Sequence, residues 1–140
     1  MKIRAYKDKD KQAVIALWSA CGLVVPHNDP AKDIHRKLQV DRDLFLVGVN
    51  EKGIVATVMG GYEGHRGWIN YLCVDPSERR KGYGETLMEA IEKLIKARGC
   101  PKINLQVRST NRKVIAFYNA IGYNVDKVVS FGKRLEHDTN

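Results

Sequence analysis

The feature that most constrains this chain is the stretch from Tyr71 to Met88, which reads YLCVDPSERRKGYGETLM. An apolar run ends at Asp75-Pro76, and proline cannot continue a sheet ladder, so the run is predicted to be a buried strand that ends at Val74. Three basic residues and Gly82-Tyr83-Gly84 follow, and apolar residues then recur at helical spacing. This order predicts an anion site, because the first turn of a helix offers free N–H groups and the positive end of the macrodipole.

The spacing of the two glycines excludes two familiar phosphate-binding motifs. No Gly-Lys-Ser/Thr follows at the distance that a P-loop requires. The dinucleotide fingerprint needs a third glycine, and the chain has Glu85-Thr86-Leu87 instead.

A different pattern does match, Val-x-Pro-x-x-Arg-x-x-Gly-x-Gly, formed by Val74, Pro76, Arg79, Gly82 and Gly84. It resembles the acetyl-CoA pyrophosphate loop of the GNAT superfamily of N-acetyltransferases. A strand–turn–helix connection with a solvated basic turn is the alternative interpretation of the loop.

A second stretch strengthens this resemblance. Residues 104–111 read NLQVRSTN and residues 116–123 read AFYNAIGY, which looks like the GNAT strand and the helix that ends in Tyr-x-x-x-Gly-Phe/Tyr. The likeness covers the chain from Ile3 to about Leu135. It is greatest to the YpeA group of small bacterial acetyltransferases, through Asn28-Asp29-Pro30, Met59-Gly60-Gly61-Tyr62, Gly64-His65-Arg66-Gly67 and Gly132-Lys133-Arg134-Leu135.

Hydrophobic periodicity and turn signals predict the remaining elements. The predicted helices span residues 8–20, 30–40, 83–98 and 112–121, and the predicted strands span residues 3–6, 44–49, 54–61, 68–74 and 103–107, with one or two more in 123–135. Asp8 or Asp10 is the predicted N-cap of the first helix, and Asp29 that of the second. This order indicates an α/β fold with a mixed sheet and helices on both faces. The resemblance implies six to seven strands flanked by about four helices, with residues 1–140 as a single N-acetyltransferase domain.

Composition sets the outer limits. No stretch approaches the ~20 apolar residues that span a membrane, and residues 1–6 hold no signal-peptide core. Cys21, Cys73 and Cys100 are scattered without metal-ligand spacing, which indicates a reduced, cytoplasmic protein without a metal. The net charge of +8 suits a polyanionic cofactor, and the lack of an aromatic and basic stacking strip disfavours nucleic acid. We expect a monomer or a homodimer.

The resemblance implies that acetyl-CoA is the cosubstrate and lies along the strand that ends at Val74. The implied cofactor-binding residues are Leu72, Cys73, Val74, Arg79, Arg80, Lys81, Gly82, Tyr83, Gly84, Glu85 and Asn111. The strand residues would bind pantetheine and the acetyl oxygen through their backbone, and the loop would hold the pyrophosphate through N–H groups. For the Arg80 and Lys81 side chains a solvated turn is the alternative, and Asn111 is also a sufficient helix N-cap.

Tyr118 occupies the position of the family's thiolate-protonating tyrosine, and a phenol is a competent acid towards a thiolate. A buried aromatic on a helix face is the alternative role. The general base is open, because Gln106 stands where related N-terminal acetyltransferases carry a glutamate. Glu63 and His65 are candidates, an amine that arrives deprotonated or a water chain is another possibility, and an acetyl-cysteine at Cys73 is disfavoured because free cysteines are commonly buried.

The sequence thus predicts an enzyme, an N-acetyltransferase that moves the acetyl group of acetyl-CoA to a primary amine by direct attack in a ternary complex. The acceptor is a protein N-terminus, a lysine or a small-molecule amine, and acyl-chain preference is open. The alternative is a non-catalytic acyl-CoA-binding module or sensor, which Gln106 favours and Tyr118 opposes. We expect the acceptor site to be lined by Leu23–Asp33 and Tyr62–Trp68. In this site Asp29, Glu63 and His65 would set the affinity for the amine or its deprotonation.

Overall fold

The computed structural model describes residues 1–138 and contains one five-stranded sheet in the order β1-β2-β3-β4-β5. The strands are β1 (Lys2–Ala5), β2 (Phe45–Asn50), β3 (Gly53–Tyr62), β4 (Gly67–Val74) and β5 (Ile103–Leu105). The helices are α1 (Lys11–Ala20), α2 (Pro30–Lys37), α3 (Tyr83–Lys96) and α4 (Arg112–Ala120). Strands β1 to β4 pair antiparallel and β5 pairs parallel to β4, so the predicted mixed α/β sheet is confirmed. Within residues 1–138, no helix is long and apolar enough to cross a membrane.

Each face of the sheet carries its own apolar cluster. On one face, α3 and Tyr118 of α4 pack on alternate residues of β2, β3 and β4. On the other face, α1 and α2 cover Phe45, Met59 and Cys73, with Trp18 fully buried. The sheet is therefore buried on both sides, as its apolar strands predict.

The two helices of the second face begin in different ways. The Asp29 carboxylate caps α2 by accepting from the N–H groups of Ala31 at 2.9 Å and Lys32 at 3.3 Å, as predicted. Helix α1 begins only at Lys11 and follows a short 3-10 turn. Asp10 does not cap α1, because its carboxylate is held by Arg4 at 2.7 Å.

The prediction of one or two strands in residues 123–135 is wrong. Residues 123–138 form no strand, which leaves five strands instead of six to seven. The segment is tied to the body by side chains, through Lys102–Asp126 at 2.8 Å and Gln106–Ser130. Its large apolar side chains remain exposed, Phe131 by 94 %. Apolar and β-branched residues favour a strand, but pairing also needs a partner strand of similar length, and β5 has only three residues.

We expect Gly60 to be required for the packing of α3 on β3. A Cβ at this position would lie 2.6 Å from Cγ1 of Ile91 and 2.9 Å from its Cδ1. Gly60→Ala should therefore destabilise the protein by roughly 1–3 kcal/mol, the usual effect of overpacking a core. The measurement is the denaturant midpoint of unfolding, with Gly132→Ala as control because nothing lies within 4 Å of its Cβ. Equal midpoints for the two variants would contradict the close approach of α3.

Candidate active site

A β-bulge in β4 organises the candidate site. The β3–β4 register pairs Met59 with Asn70 and Thr57 with Cys73, so β4 carries one extra residue between these pairs. Tyr71 sits there with a φ of 52°, a left-handed conformation that is uncommon outside glycine. Because a bulge interrupts the alternation of side chains, Asn70 and Tyr71 both line one cavity on the α1–α2 side of the sheet.

Polar and aromatic contacts hold the bulge in place. The Tyr71 ring stacks on Trp18 with centroids 3.8 Å apart. The Thr57 hydroxyl accepts from Nε1 of Trp18 at 2.9 Å and donates to the Tyr71 carbonyl at 2.9 Å. The Tyr71 hydroxyl donates to Asp33 at 2.6 Å, and burial together with this carboxylate raises the Tyr71 pKa. The strained residue is thus fixed at its backbone, its ring and its hydroxyl.

A groove opens between β4 and β5 at the same level. The two strands pair from Gly67–Ile103 to Ile69–Leu105, and the pairing stops there. Three predicted cofactor-binding residues, Leu72, Cys73 and Val74, follow this point and pair only with β3 where they pair at all. Within residues 1–138, β5 therefore leaves the backbone of these residues unpaired, although the Val74 carbonyl accepts from the Cys21 thiol at 3.4 Å.

The glycine loop follows the groove directly. Asp75 caps a 3-10 turn by accepting from the N–H of Ser77 at 2.9 Å. Arg80 and Gly82 then have φ values of 67° and 78°, and α3 begins at Tyr83 without a side-chain cap. Left-handed residues at these two positions turn the loop so that its N–H groups face one side. The first turn of α3, with Tyr83, Gly84 and Glu85, adds N–H groups that have no partner within the helix. The backbone of the loop is therefore shaped to bind an anion.

The basic side chains of the loop have different partners. Lys81 forms an ion pair with Glu78, whose fully buried carboxylate also binds Lys52 at 3.2 Å and Asn50 at 3.1 Å. The Lys81 ammonium, followed by the Asn50 amide, lowers the Glu78 pKa to about 2. Arg80 is exposed and forms no ion pair with any residue of 1–138. Glu78 therefore fixes the loop, whereas neither Arg79 nor Arg80 forms an ion pair within residues 1–138.

Tyr118 lies on α4 with only 9 % of its surface exposed. Its ring meets Tyr123 edge-on with centroids 5.6 Å apart, and burial raises the Tyr118 pKa to about 12. Its hydroxyl has no hydrogen-bond partner in residues 1–138, yet no buried side-chain atom there lacks a partner, so the hydroxyl reaches solvent. On the same helix, Asn111 acts as the N-cap, accepting from the N–H of Val114 at 3.3 Å.

The candidate bases lie elsewhere. Glu63 and His65 are exposed in the β3–β4 turn, and the Glu63 carboxylate accepts from the N–H groups of Arg66 and, at 2.7 Å, His65. The hydrogen bond from Arg66, followed by that from His65, lowers the Glu63 pKa. Gln106 donates to Ser130. Neither Glu63 nor His65 lines the cavity beside the bulge, so their role as base stays a prediction.

The cavity beside the bulge has a volume of about 630 Å³. It is lined by Gly22, Leu23, Val25, His27, Asn28, Asp33, Arg36, Lys37, Met59, Asn70, Tyr71 and Arg108. Five residues of the predicted wall from Leu23 to Asp33 line the cavity, namely Leu23, Val25, His27, Asn28 and Asp33, whereas no residue of Tyr62–Trp68 takes part. Asp29 is absent from the lining, because its carboxylate caps α2. Sequence reasoning gave no role to Tyr71 or Arg108, although both lie within the two motif stretches, because they become neighbours only through the fold.

Two cysteines meet at the end of the groove. Cys21 donates to the Val74 carbonyl at 3.4 Å, and Cys73 lies 3.3 Å from the Thr57 hydroxyl. The neighbouring Cys73 thiol, aided by the Arg79 guanidinium, lowers the Cys21 pKa to about 7. The Cys21 thiol and burial in turn raise the Cys73 pKa. Cys73 is therefore a thiol, which disfavours an acetyl-cysteine there. Residues 1–138 hold no group of three or more side chains placed to bind a metal ion.

Comparison with known proteins gives consistent matches. Residues 11–123 match the sequence profile of the Acetyltransferase (GNAT) family. An acetyltransferase of Pectobacterium atrosepticum is 48 % identical over 138 residues, which cover 99 % of this chain and 98 % of that protein. Ard1 from Thermoplasma volcanium superposes with a TM-score of 0.76 at 25 % identity, over 89 % of this chain and 83 % of Ard1. Naa20 of Chaetomium thermophilum, in complex with a bisubstrate analogue, gives 0.72 at 26 % identity, over 89 % and 72 %.

The Cys21 thiol should react with iodoacetamide with a midpoint near pH 7, because its pKa is lowered from 9.0 to about 7 and only the thiolate is nucleophilic. Peptide mass spectrometry separates Cys21 from Cys100, which is also half-exposed. Cys73→Ala removes the neighbouring thiol that chiefly lowers the Cys21 pKa and should move the midpoint upward. A Cys21 midpoint above pH 8.5 in the parent, unchanged in Cys73→Ala, would contradict this arrangement.

Proposed function

Because the chain belongs to the GNAT acetyltransferase family, we propose that it transfers the acetyl group of acetyl-CoA to a primary amine. The observation that carries the proposal is the groove that opens at the β4 bulge and runs directly into the glycine loop. A cosubstrate with a thioester at one end and a pyrophosphate at the other matches that order. The three free cysteines fit a reducing compartment such as the cytoplasm.

The cosubstrate would be held chiefly by the backbone. Leu72 and Val74 border the groove and would pair with the amides of pantetheine, as a strand would. The loop from Arg79 to Glu85 would bind the pyrophosphate with its N–H groups, with the positive end of α3 behind them. Arg80 adds charge directly, whereas Lys81 acts through its pair with Glu78 by keeping the loop in shape. Asn111 begins α4 and would approach the cofactor from that side.

The reaction that fits is direct attack in a ternary complex. The lone pair of the neutral amine forms a C–N bond with the thioester carbonyl carbon, and the carbonyl oxygen becomes an oxyanion. Backbone N–H groups at the bulge would stabilise this charge. Collapse of the intermediate breaks the C–S bond, the nitrogen loses one proton, and the thiolate gains one. Binding both substrates side by side supplies much of the acceleration.

Tyr118 is proposed as the group that protonates the thiolate. With a pKa of about 12 it keeps its proton throughout the physiological range. In water a phenol with this pKa is a weaker acid than a thiol, whose pKa is about 8.5. The burial that raises the Tyr118 pKa would also raise the pKa of a thiol beside it. The pKa gap between the phenol and the bound thiol is therefore smaller than the gap to a thiol in water. The hydroxyl that reaches solvent without an internal partner is then a ready donor.

Proton removal from the amine needs no residue of the described chain in direct contact. Glu63 and His65 stay candidates only through intervening water, because neither lines the cavity. An amine that enters already neutral loses its proton to solvent instead. The alternative of a non-catalytic acyl-CoA-binding protein is tested by free-thiol release from acetyl-CoA with a panel of small amines and peptides. CoA binding without thiol release for any amine would support that alternative.

We expect Gly82 to be essential for CoA binding. Its φ of 78° disfavours a β-branched side chain, so Gly82→Val should move the loop N–H groups away from the pyrophosphate. The expected loss of CoA affinity in calorimetry is roughly 100-fold or more, about the value of two hydrogen bonds to a charged group. Gly99→Val is the matched control, since Gly99 has a φ of 92° at the far end of α3. Unchanged CoA affinity in a folded Gly82→Val protein would contradict the assignment of this loop as the CoA site.

Tyr118→Phe should lower kcat for thiol release by about 10²–10⁴, the usual contribution of a positioned acid, with little change in acetyl-CoA affinity. Because the Tyr118 pKa is about 12, its ionisation should produce no falling limb in the parental pH–rate profile below pH 10. Tyr123→Phe is the control, because it removes a neighbouring phenol that donates to Glu92. If kcat of Tyr118→Phe stays within about twofold of the parent, Tyr118 only packs.

A further inference from the structure

The cavity beside the bulge contains cations whose partners differ. Of its lining residues, Arg36 pairs with Asp138 at 2.8 Å and with Asp33 at 3.3 Å. The Lys37 ammonium is half-buried and donates to the Gly60 carbonyl. The Arg108 guanidinium forms no hydrogen bond or ion pair with any residue from 1 to 138. Arg108 is therefore the one lining cation in the described chain that has no internal partner.

Among the described residues one carboxylate, that of Asp33, lines the cavity, and it is already engaged. Asp33 accepts from the Tyr71 hydroxyl at 2.6 Å and lies 3.3 Å from Arg36. The neighbouring open surface adds Lys133 and Arg134 as well as Glu136 and Asp138, and these two carboxylates both pair with Arg36. The Arg134 guanidinium donates to the neutral Asn28 amide at 2.6 Å. Because Lys37, Arg108, Lys133 and Arg134 have no carboxylate partner in residues 1–138, the field at the cavity mouth is positive and favours an anionic group.

The position of Arg108 determines where an anionic group of the acceptor would lie relative to the reacting amine. Arg108 lies three residues beyond Leu105, and Leu72 lies three residues beyond Ile69, which is the parallel partner of Leu105. Arg108 therefore follows β5, on the side of the groove opposite the bulge, and it lines the same cavity as Asn70 and Tyr71. An anionic group bound by Arg108 and an amine beside Asn70 would therefore be two groups of the same small molecule. A volume of about 630 Å³ accommodates such a molecule.

We infer that the acceptor is a small amino acid, with its carboxylate bound by Arg108 and its amine directed at the β4 bulge. This inference rests on the proposed transferase function and names the substrate class of the same site. A guanidinium binds a carboxylate through two parallel hydrogen bonds, which also orients the amine. A polyamine has no carboxylate, and the C-terminal carboxylate of a peptide lies far from its N-terminal amine. Neither class is therefore a preferred acceptor.

The test compares acceptors that differ only in the carboxylate, namely glycine with glycinamide and β-alanine with β-alaninamide, by thiol release. Rates are expressed per concentration of neutral amine, because an amide lowers the pKa of its amine. The parent should use the acids with a kcat/KM about 10- to 100-fold higher, the effect of hydrogen bonds to a charged group. Arg108→Gln should abolish this preference through KM of the acids, leaving the amides and acetyl-CoA unchanged.

Arg112→Gln is the matched control, since it removes a nearby exposed arginine that does not line the cavity. Equal use of acids and amides by the parent overturns the inference, and so does an Arg108→Gln variant that is weakened only towards acetyl-CoA. Saturation-transfer NMR with the same acids and amides needs no turnover. Acid binding that is lost in Arg108→Gln, combined with no thiol release for any amine, would overturn the transferase proposal and leave the carboxylate site standing.

Discussion

The site depends on one hydroxyl, that of Thr57, which joins α1, β3 and β4 in the interior. It accepts from Trp18 and donates to the carbonyl of Tyr71, so it fixes the backbone where β4 gains its extra residue. Without that fixed point a left-handed tyrosine in a strand would relax, because the conformation is unfavourable for a bulky side chain. The groove, the cavity and the direction of β4 into the glycine loop all follow from this local geometry.

The elements that sequence could predict are those set by local pattern. The strand that ends at Val74, the glycine loop and α3 follow from proline, glycine and a helical apolar period, and the structure has all three. The Asp29 cap of α2 was also predicted, because capping involves residues close in sequence. Such features need no knowledge of the rest of the chain.

The features that sequence could not predict depend on distant partners. The extra residue in β4 is defined only by the register of β4 against β3. The residue types of Asn70 and Tyr71 do not predict a bulge. Arg108 resembles any exposed cation until the cavity is built. Residues 123–135 alternate like a strand, yet a three-residue neighbour gives them little to pair with.

The shortness of β5 also affects how the groove can move. Strand β4 is paired with β3 along most of its length and pinned by α1, whereas β5 contributes three paired residues at the sheet edge. Local opening is easiest where few interactions must break, so the amides of β5 belong to the region of low protection against hydrogen exchange. The groove thus has one wall that many interactions hold, which carries the bulge, and one wall, β5, that few interactions hold.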